Sequence, residues 1–228
     1  NAIPKEAKAV VSVRSCDATT FEQSIKESAA VWMQEISATE PHAKIEVEKT
    51  DVAADKVLNS HSTANVIYAL WLSPDGVYKM SQEIKGMVQT SLNLGTAYLD
   101  ADKLVYKYLI RSNTAAGKKL LLERVTTFAK HLSGNVVTMS DYPAWEYKSD
   151  SQLRKICVDS FTNVYGHEPE VTSIHAGLEC GILAGKMSGV DMISFGPTLE
   201  SVHTPDECMN VASVERTWEY LREILKSL

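Results

Sequence analysis

Two periodicities alternate along this 228-residue chain, and their order is the strongest constraint on its fold. Stretches with apolar residues at every second position are typical of half-buried strands. Stretches with apolar residues three and four positions apart are typical of amphipathic helices. The two kinds follow each other along the chain, with Gly, Pro, Asn and Asp between them. This order is that of an α/β protein.

The first 72 residues have the order of a small two-layer α/β unit. The sequence predicts strands over 8–14 and 44–49, where apolar and polar residues alternate. It predicts helices over 20–37 and 64–72. The apolar side chains that share one face of the first helix are Phe21, Ile25, Ala29, Trp32, Met33 and Ile36.

A second group of elements follows, with a hairpin and a helix. Strands are predicted over 87–99 and 104–110, with a turn at residues 100–102 between them. The alternation in the first strand separates Val88, Thr90, Leu92 and Leu94 from Gln89, Ser91 and Asn93. A helix is predicted over 113–131, and a further strand over 136–139.

The composition changes at 141–150, a polar stretch with a proline that we interpret as a boundary. Helices and strands alternate again beyond it, which implies parallel strands with crossovers. Two strands are too few for a parallel sheet, so we expect them to complete a larger one. The predicted elements are helix 151–165, strand 171–174, helix 178–187, strand 190–195 and helix 211–228.

Composition excludes several classes of partner. The chain has 23 Lys and Arg against 29 Asp and Glu, and it contains no basic run, so we expect no nucleic acid partner. No apolar stretch approaches the length of a membrane span. The four cysteines are far apart and form no C-x-x-C pair, which predicts reduced thiols in a cytoplasmic protein.

Residues that carry chemistry are concentrated between 174 and 207. The strand predicted at 171–174 leads into a Gly-flanked turn with Glu179. The strand at 190–195 leads into a loop with His203. Since loops at the carboxyl ends of parallel strands line the ligand crevice, we expect both residues at one rim of the sheet.

Each candidate site residue also has a purely structural interpretation. Glu179 suits a substrate amine, but a carboxylate near a helix N-terminus is favourable in any protein. His203 suits a metal, but a loop histidine can also cap a turn. Arg111 ends a strand and has the forked geometry that binds carboxylates, although solvated arginines at strand ends are common.

Seven motifs are distributed along the chain: Asn1-Ala-Ile-Pro-Lys-Glu-Ala7, Pro74-Asp-Gly-Val77, Thr90-Ser-Leu-Asn93, Asp141-Tyr-Pro-Ala-Trp145, Ile174-His-Ala-Gly-Leu-Glu-Cys-Gly181, Asp191-Met-Ile-Ser-Phe-Gly-Pro197 and Val202-His-Thr-Pro-Asp-Glu207. Together they resemble the bacterial aminoacyl-histidine dipeptidases, also called Xaa-His dipeptidases, carnosinases or peptidase D. The resemblance covers nearly the whole chain, in the family's order and with similar spacing.

The resemblance implies an α/β metallopeptidase of two domains. Residues 1–140 would form the lid and dimerisation domain, built from two small β-α-β type subdomains and incomplete at its start. Residues 141–228 would form the carboxy-terminal part of a mixed-sheet zinc-peptidase catalytic domain. The parent enzyme would be a cytoplasmic homodimer, joined through the lid, with two zinc ions in each active site.

The resemblance also implies roles for five residues. His203 matches a zinc ligand, and Arg111 matches the arginine that binds the carboxylate of the substrate. Asn1 matches the asparagine that contacts the substrate near the scissile carbonyl. Gly177 and Glu179 match the turn that lines the pocket.

The chain departs from the family pattern in what it lacks. The family's H-x-D pair, its metal-bridging Asp and its Glu-Glu pair precede the motif that begins at Asn1, so no catalytic residue is expected in this chain. The parent would hydrolyse dipeptides such as β-alanyl-histidine with zinc-activated water, and the chain alone would not. Two other hypotheses are a non-catalytic dimerisation and interaction module, and a broader dipeptidase or tripeptidase.

Overall fold

The computed structural model describes residues 4–50, 56–100, 102–173, 179–202 and 204–228, which form two units. One unit is Lys5–Leu70, and the other is Trp71–Leu228 together with Pro4. The described residues form six helices and two small sheets, so the predicted α/β class is confirmed. None of the helices within these ranges is long and apolar enough to cross a membrane.

The unit Lys5–Leu70 is built around two helices, α1 (Ala18–Ile36) and α2 (Ser60–Trp71), close to their predicted positions. The strands predicted at 8–14 and 44–49 are wrong: both segments are described, and neither joins a ladder. Alternation suits an extended backbone, but a strand also needs a neighbouring backbone to pair with. No described segment provides that neighbour here.

The second unit begins with a three-stranded antiparallel sheet of β1 (Gly76–Met80), β2 (Val88–Asp100) and β3 (Lys103–Ser112). The predicted hairpin of β2 and β3 is confirmed, with a register shift between Leu94 and Thr96. β1 is not among the predicted strands, because Pro74-Asp-Gly76 by itself indicates only the end of a helix. The run of Val, Tyr and Met after Gly76 is the signal that the sequence offers for it.

One face of this sheet packs against helix α3 (Ala115–His131) and forms the first core. Leu92 of β2 meets Leu121 and Val125 of α3, and all three are buried. Thr114 caps the helix, since its side chain accepts a hydrogen bond from the Gly117 N–H at 3.2 Å. The alternation read from the sequence therefore places Thr90 and Leu92 on the core side of β2.

The second core lies between helices α4 (Gln152–Tyr165) and α6 (Val211–Ser227). Cys157, Tyr220 and Ile224 are buried there. The Tyr220 hydroxyl donates to the carbonyl oxygen of Cys157 at 2.9 Å, and the ring of Phe161 meets the Tyr220 ring edge-on. These contacts fix α6 against α4.

Two further elements complete this unit: helix α5 (Glu179–Lys186) and a two-stranded sheet of β4 (Leu199–Glu200) and β5 (Cys208–Met209). The strands predicted at 136–139 and 190–195 are wrong, and 171–173 is also unpaired. Val136 and Ile193 pack against the two cores through their side chains. Their backbones have no ladder partner among the described residues, and residue 174 lies outside that part of the chain.

The first core makes a stability prediction with a control on the same helix. Leu121 is 1% exposed, whereas its neighbour Leu120 is 63% exposed. Leu121→Ala should lower the free energy of unfolding by about 2–5 kcal/mol, because it opens a cavity beside Leu92. Leu120→Ala should change it by less than about 0.5 kcal/mol. Urea denaturation of both variants tests this, and equal losses would contradict the packing.

Candidate active site

Arg111 lies at the end of β3 on the polar face of the three-stranded sheet. It pairs across the ladder with Ser91, and Ile110 pairs with Leu92. Because side chains alternate along a strand and Leu92 faces α3, Arg111 and Ser91 lie on the opposite face, with Gln89. All three residues of this face are half-buried. A guanidinium beside hydroxyl and carboxamide groups suits a carboxylate anion.

Asn113 joins this strand end to the segment that leads to Glu179. Its backbone N–H donates to the Gln89 carbonyl at 3.0 Å and so extends the ladder beyond β3. Its side-chain amide donates to the Ser173 hydroxyl at 3.2 Å. Ser173 is the last described residue before Glu179. This side-chain hydrogen bond connects the end of β3 to Ser173, six residues before Glu179.

Glu179 is the first residue of α5 and is exposed. Its carboxylate lies in the first helical turn, where the helix dipole favours a negative charge. The same position leaves the carboxylate accessible to an amine. The other predicted residue of this motif, Gly177, lies outside the described residues.

The start of α5 is fixed by a close approach of the backbone at Pro143. A Cβ atom on Gly181 would lie 2.7 Å from the Pro143 carbonyl oxygen. A Cβ on Gly185, one turn later, would lie 3.0 Å from Cγ of the proline ring. Real Cβ atoms do not approach a backbone oxygen so closely. Glycine is therefore required at 181, for reasons of space.

His203 itself is outside the described residues, but the segments before and after it are described. β4 and β5 pair on either side of it. Ser213 of α6 anchors the base of the loop: its hydroxyl accepts from the Thr198 N–H at 2.9 Å and donates to the Asn210 carbonyl at 2.5 Å. Ser213 is buried, so these bonds are shielded from water.

Asp191 ties the 190–197 segment to the start of α4. Its carboxylate accepts hydrogen bonds from the Ser151 hydroxyl at 2.8 Å and from the Leu153 N–H at 3.0 Å. Burial by itself would raise the pKa of Asp191, but the hydrogen bonds outweigh it and hold the pKa below its ordinary value. The charged carboxylate is the form that the structure stabilises.

Two connecting residues are not among the predicted site residues. The sequence pattern indicates Asn113 only as a helix start and Asp191 only as part of a motif. The sequence signal for Asn113 is its position between a predicted strand and a predicted helix, and for Asp191 it is a charged residue within a mostly apolar predicted strand. Of the five predicted site residues, the described part of the chain contains Arg111 and Glu179.

A metal site would need about three ligands from His, Cys or carboxylate side chains. No group of three such residues is close enough to hold an ion among the residues that the structure describes. These residues therefore do not form a metal site by themselves. Asn1, Gly177 and His203 keep their predicted roles as predictions.

Residues 45–227 match the model of "Peptidase family M20/M25/M40". The chain belongs to this peptidase family. The whole chain is 29% identical to the "Cytosol non-specific dipeptidase" of Escherichia coli (strain K12), and it covers 47% of that protein. It also resembles the crystal structure of the aminoacylhistidine dipeptidase from Vibrio alginolyticus.

The match to that structure has a TM-score of 0.83 at 29% identity. It covers 95% of this chain and 44% of the Vibrio protein. The chain thus spans about half the length of the relatives that it matches. The predicted resemblance to the aminoacyl-histidine dipeptidases is confirmed, as is the α/β peptidase fold.

Gly181 gives a prediction opposite to that of helix propensity. Gly→Ala inside a helix normally stabilises by about 1 kcal/mol. Gly181→Ala should instead lower the free energy of unfolding by about 1–3 kcal/mol, because its Cβ would overlap the Pro143 carbonyl oxygen. A Cβ on Gly196 would meet no atom within 4 Å, so Gly196→Ala is the control. Urea denaturation measures both, and a stabilised Gly181→Ala variant would refute the close approach.

Asp191 gives a prediction for pH dependence. Because its folded pKa is depressed, the carboxylate stabilises the fold above the unfolded pKa of about 4, and this is lost as pH falls through the folded pKa. Asp191→Asn should have a lower free energy of unfolding than the parent at neutral pH, and this difference should disappear as the pH falls below about 4. The exposed Asp150→Asn serves as control. A difference in free energy of unfolding that stays constant from about pH 7 to about pH 3 would contradict the role of the charge.

Proposed function

We propose that this chain is the carboxy-terminal half of a cytoplasmic, metal-dependent dipeptidase that hydrolyses Xaa-His dipeptides such as β-alanyl-histidine. The observation that carries the proposal is the match to the peptidase family over residues 45–227. The similar Vibrio protein is an aminoacylhistidine dipeptidase, which supports the substrate class. The polar sheet face around Arg111 supports recognition of a small anion.

In this proposal the chain holds the two ends of a dipeptide. Arg111 binds the free carboxylate with its forked guanidinium, and Glu179 accepts the free amino group. Gly177 lines the pocket beside Glu179, and Asn1 contacts the substrate near the scissile carbonyl. Recognition of both ends restricts the enzyme to short peptides.

Zinc supplies a water molecule activated for attack on the peptide carbonyl when it is bound in such enzymes. The proposal assigns to this chain one ligand, His203. We place the remaining ligands and the general base in the rest of the parent protein. The described residues contain no cluster that could take their place. Because the proposal assigns these groups to the rest of the parent protein, it expects no turnover by the 228 residues alone. It also expects that the parent is a homodimer formed through the lid.

A broader dipeptidase is the second candidate. The relative from Escherichia coli, which matches along the whole chain, is named a non-specific dipeptidase. Arg111 and Glu179 would bind the ends of a dipeptide and not its side chains, so they are compatible with either specificity. The family match speaks against a purely non-catalytic interaction module.

The activity test compares this chain with the product of the longer reading frame that contains it. Zinc content and hydrolysis of β-alanyl-histidine and of alanyl-leucine are measured for both. The proposal predicts about two zinc ions and turnover for the longer protein only. Equal rates on the two dipeptides would select the broader enzyme. If the metal-loaded longer protein hydrolyses neither peptide, the proposal is contradicted.

Arg111 is tested in the longer protein by substitution. Arg111→Ala should raise KM for the dipeptide roughly 10- to 100-fold, about 1.4–2.7 kcal/mol, with kcat less affected. Arg111→Lys should reverse only part of this rise in KM, because lysine keeps the positive charge but not the forked guanidinium group. The exposed Arg222→Ala is the control. A dipeptide with an amidated carboxyl end should bind the parent and the Arg111→Ala variant equally weakly. If the Arg111→Ala variant keeps the parent's preference for the free acid, Arg111 is not the residue that binds the carboxylate.

A further inference from the structure

The connection 141–146 (Asp141-Tyr-Pro-Ala-Trp-Glu146) is fixed at both of its ends, and we call it the strap. The sequence suggests a boundary between domains at this point. We propose that the strap is a positioning element, which sets the distance between the end of β3 with Arg111 and the start of α5 with Glu179. Both ends of the strap are described residues within one unit.

Both ends of the strap are bound to the N-terminal turn of α3. The Glu146 carboxylate accepts a hydrogen bond from the Ala115 N–H at 3.0 Å, which satisfies a donor that the helix leaves open. Lys118 pairs with the Asp141 carboxylate, and its ammonium group also donates to the Tyr142 carbonyl at 2.6 Å. The strap is thus held to one helical turn at three points.

The middle of the strap contacts α5. Pro143 lies against the two glycines of this helix, with its carbonyl oxygen at Gly181 and its ring at Gly185. Cβ of Trp145 is 3.7 Å from a Cβ position on Gly181. A proline has a fixed φ angle, so this part of the strap is stiff. Movement of the strap on α3 would therefore shift α5.

The two anchored turns lie directly beside the candidate substrate residues. Arg111 is four residues before Ala115, and Glu179 is two residues before Gly181. The hydrogen bond between Asn113 and Ser173 also ties the end of β3 to the described segment that ends at Ser173. A dipeptide that is held at both ends needs a fixed separation between its two binding groups. The role of the strap in substrate binding rests on the proposed function, whereas its mechanical role rests on these contacts alone.

Hydrogen exchange on the 228-residue chain tests the mechanical role without any activity. Lys118→Met removes the ammonium bonds to Asp141 and Tyr142 and keeps the length of the side chain. It should accelerate exchange of the α5 amides about three- to tenfold, as expected for a local opening that becomes easier. Lys119→Met is the matched control, since Lys119 is exposed and its nearest ion pair is with Glu123 on the same helix.

Glu146 provides a conservative rescue. Glu146→Ala removes the acceptor for the Ala115 N–H and should also accelerate exchange in α5, whereas Glu146→Gln retains an acceptor oxygen and should restore most of the protection. Exchange in α4 and α6 should stay unchanged in all variants. Unchanged exchange in α5, or equal acceleration in α4, α5 and α6, would overturn the proposal.

The functional consequence is tested in the longer protein with the same variants. Lys118→Met should raise KM for the dipeptide several-fold and change kcat little, because the binding groups lose their separation. Lys119→Met should leave both constants unchanged. If the strap variants alter exchange in α5 but leave KM unchanged, positioning of the substrate residues is refuted. If the longer protein has no peptidase activity, the proposed function fails while the exchange result still decides the mechanical role.

Discussion

The contact between the Pro143 carbonyl and Gly181 is the constraint on which the arrangement of the candidate site depends. It allows no side chain at position 181, and it brings the backbone of the strap against the first turns of α5. The strap is bound in turn to the first turn of α3, which follows the strand that ends near Arg111. One short, stiff connection therefore relates Arg111 to Glu179, two residues that are far apart in sequence.

The elements that the sequence predicts well are those whose pattern is local. The alternation in β2 correctly separates Thr90 and Leu92 from Gln89 and Ser91, and α3 carries its buried residues at helical spacing, at Leu121 and Val125. In both cases the neighbouring element follows closely along the chain. The polar face of β2 can therefore be derived from periodicity, whereas the position of Arg111 on that face depends on the pairing register of β2 and β3.

The predictions that failed depend on partners distant in sequence. An extended segment such as 8–14 or 190–195 becomes a strand only if another backbone pairs with it, and no pattern within the segment encodes that. The contacts of the strap are also hidden from the sequence: its polar composition and its proline indicate a boundary, and they do not show that Glu146 is a partner for a helix N-terminus. The bonds of Asp191 and Asn113 to distant residues are hidden for the same reason.

The central claim is that Arg111 and Glu179 belong to one site that holds the two ends of a dipeptide, and an NMR titration of the 228-residue chain tests it most directly. β-Alanyl-histidine should shift the amide resonances of Arg111, Asn113, Ser173 and Glu179 together. The same dipeptide with an amidated carboxyl end should leave those at Arg111 and Asn113 unshifted. Equal shifts with both ligands, or shifts at only one of the two regions, would contradict the account.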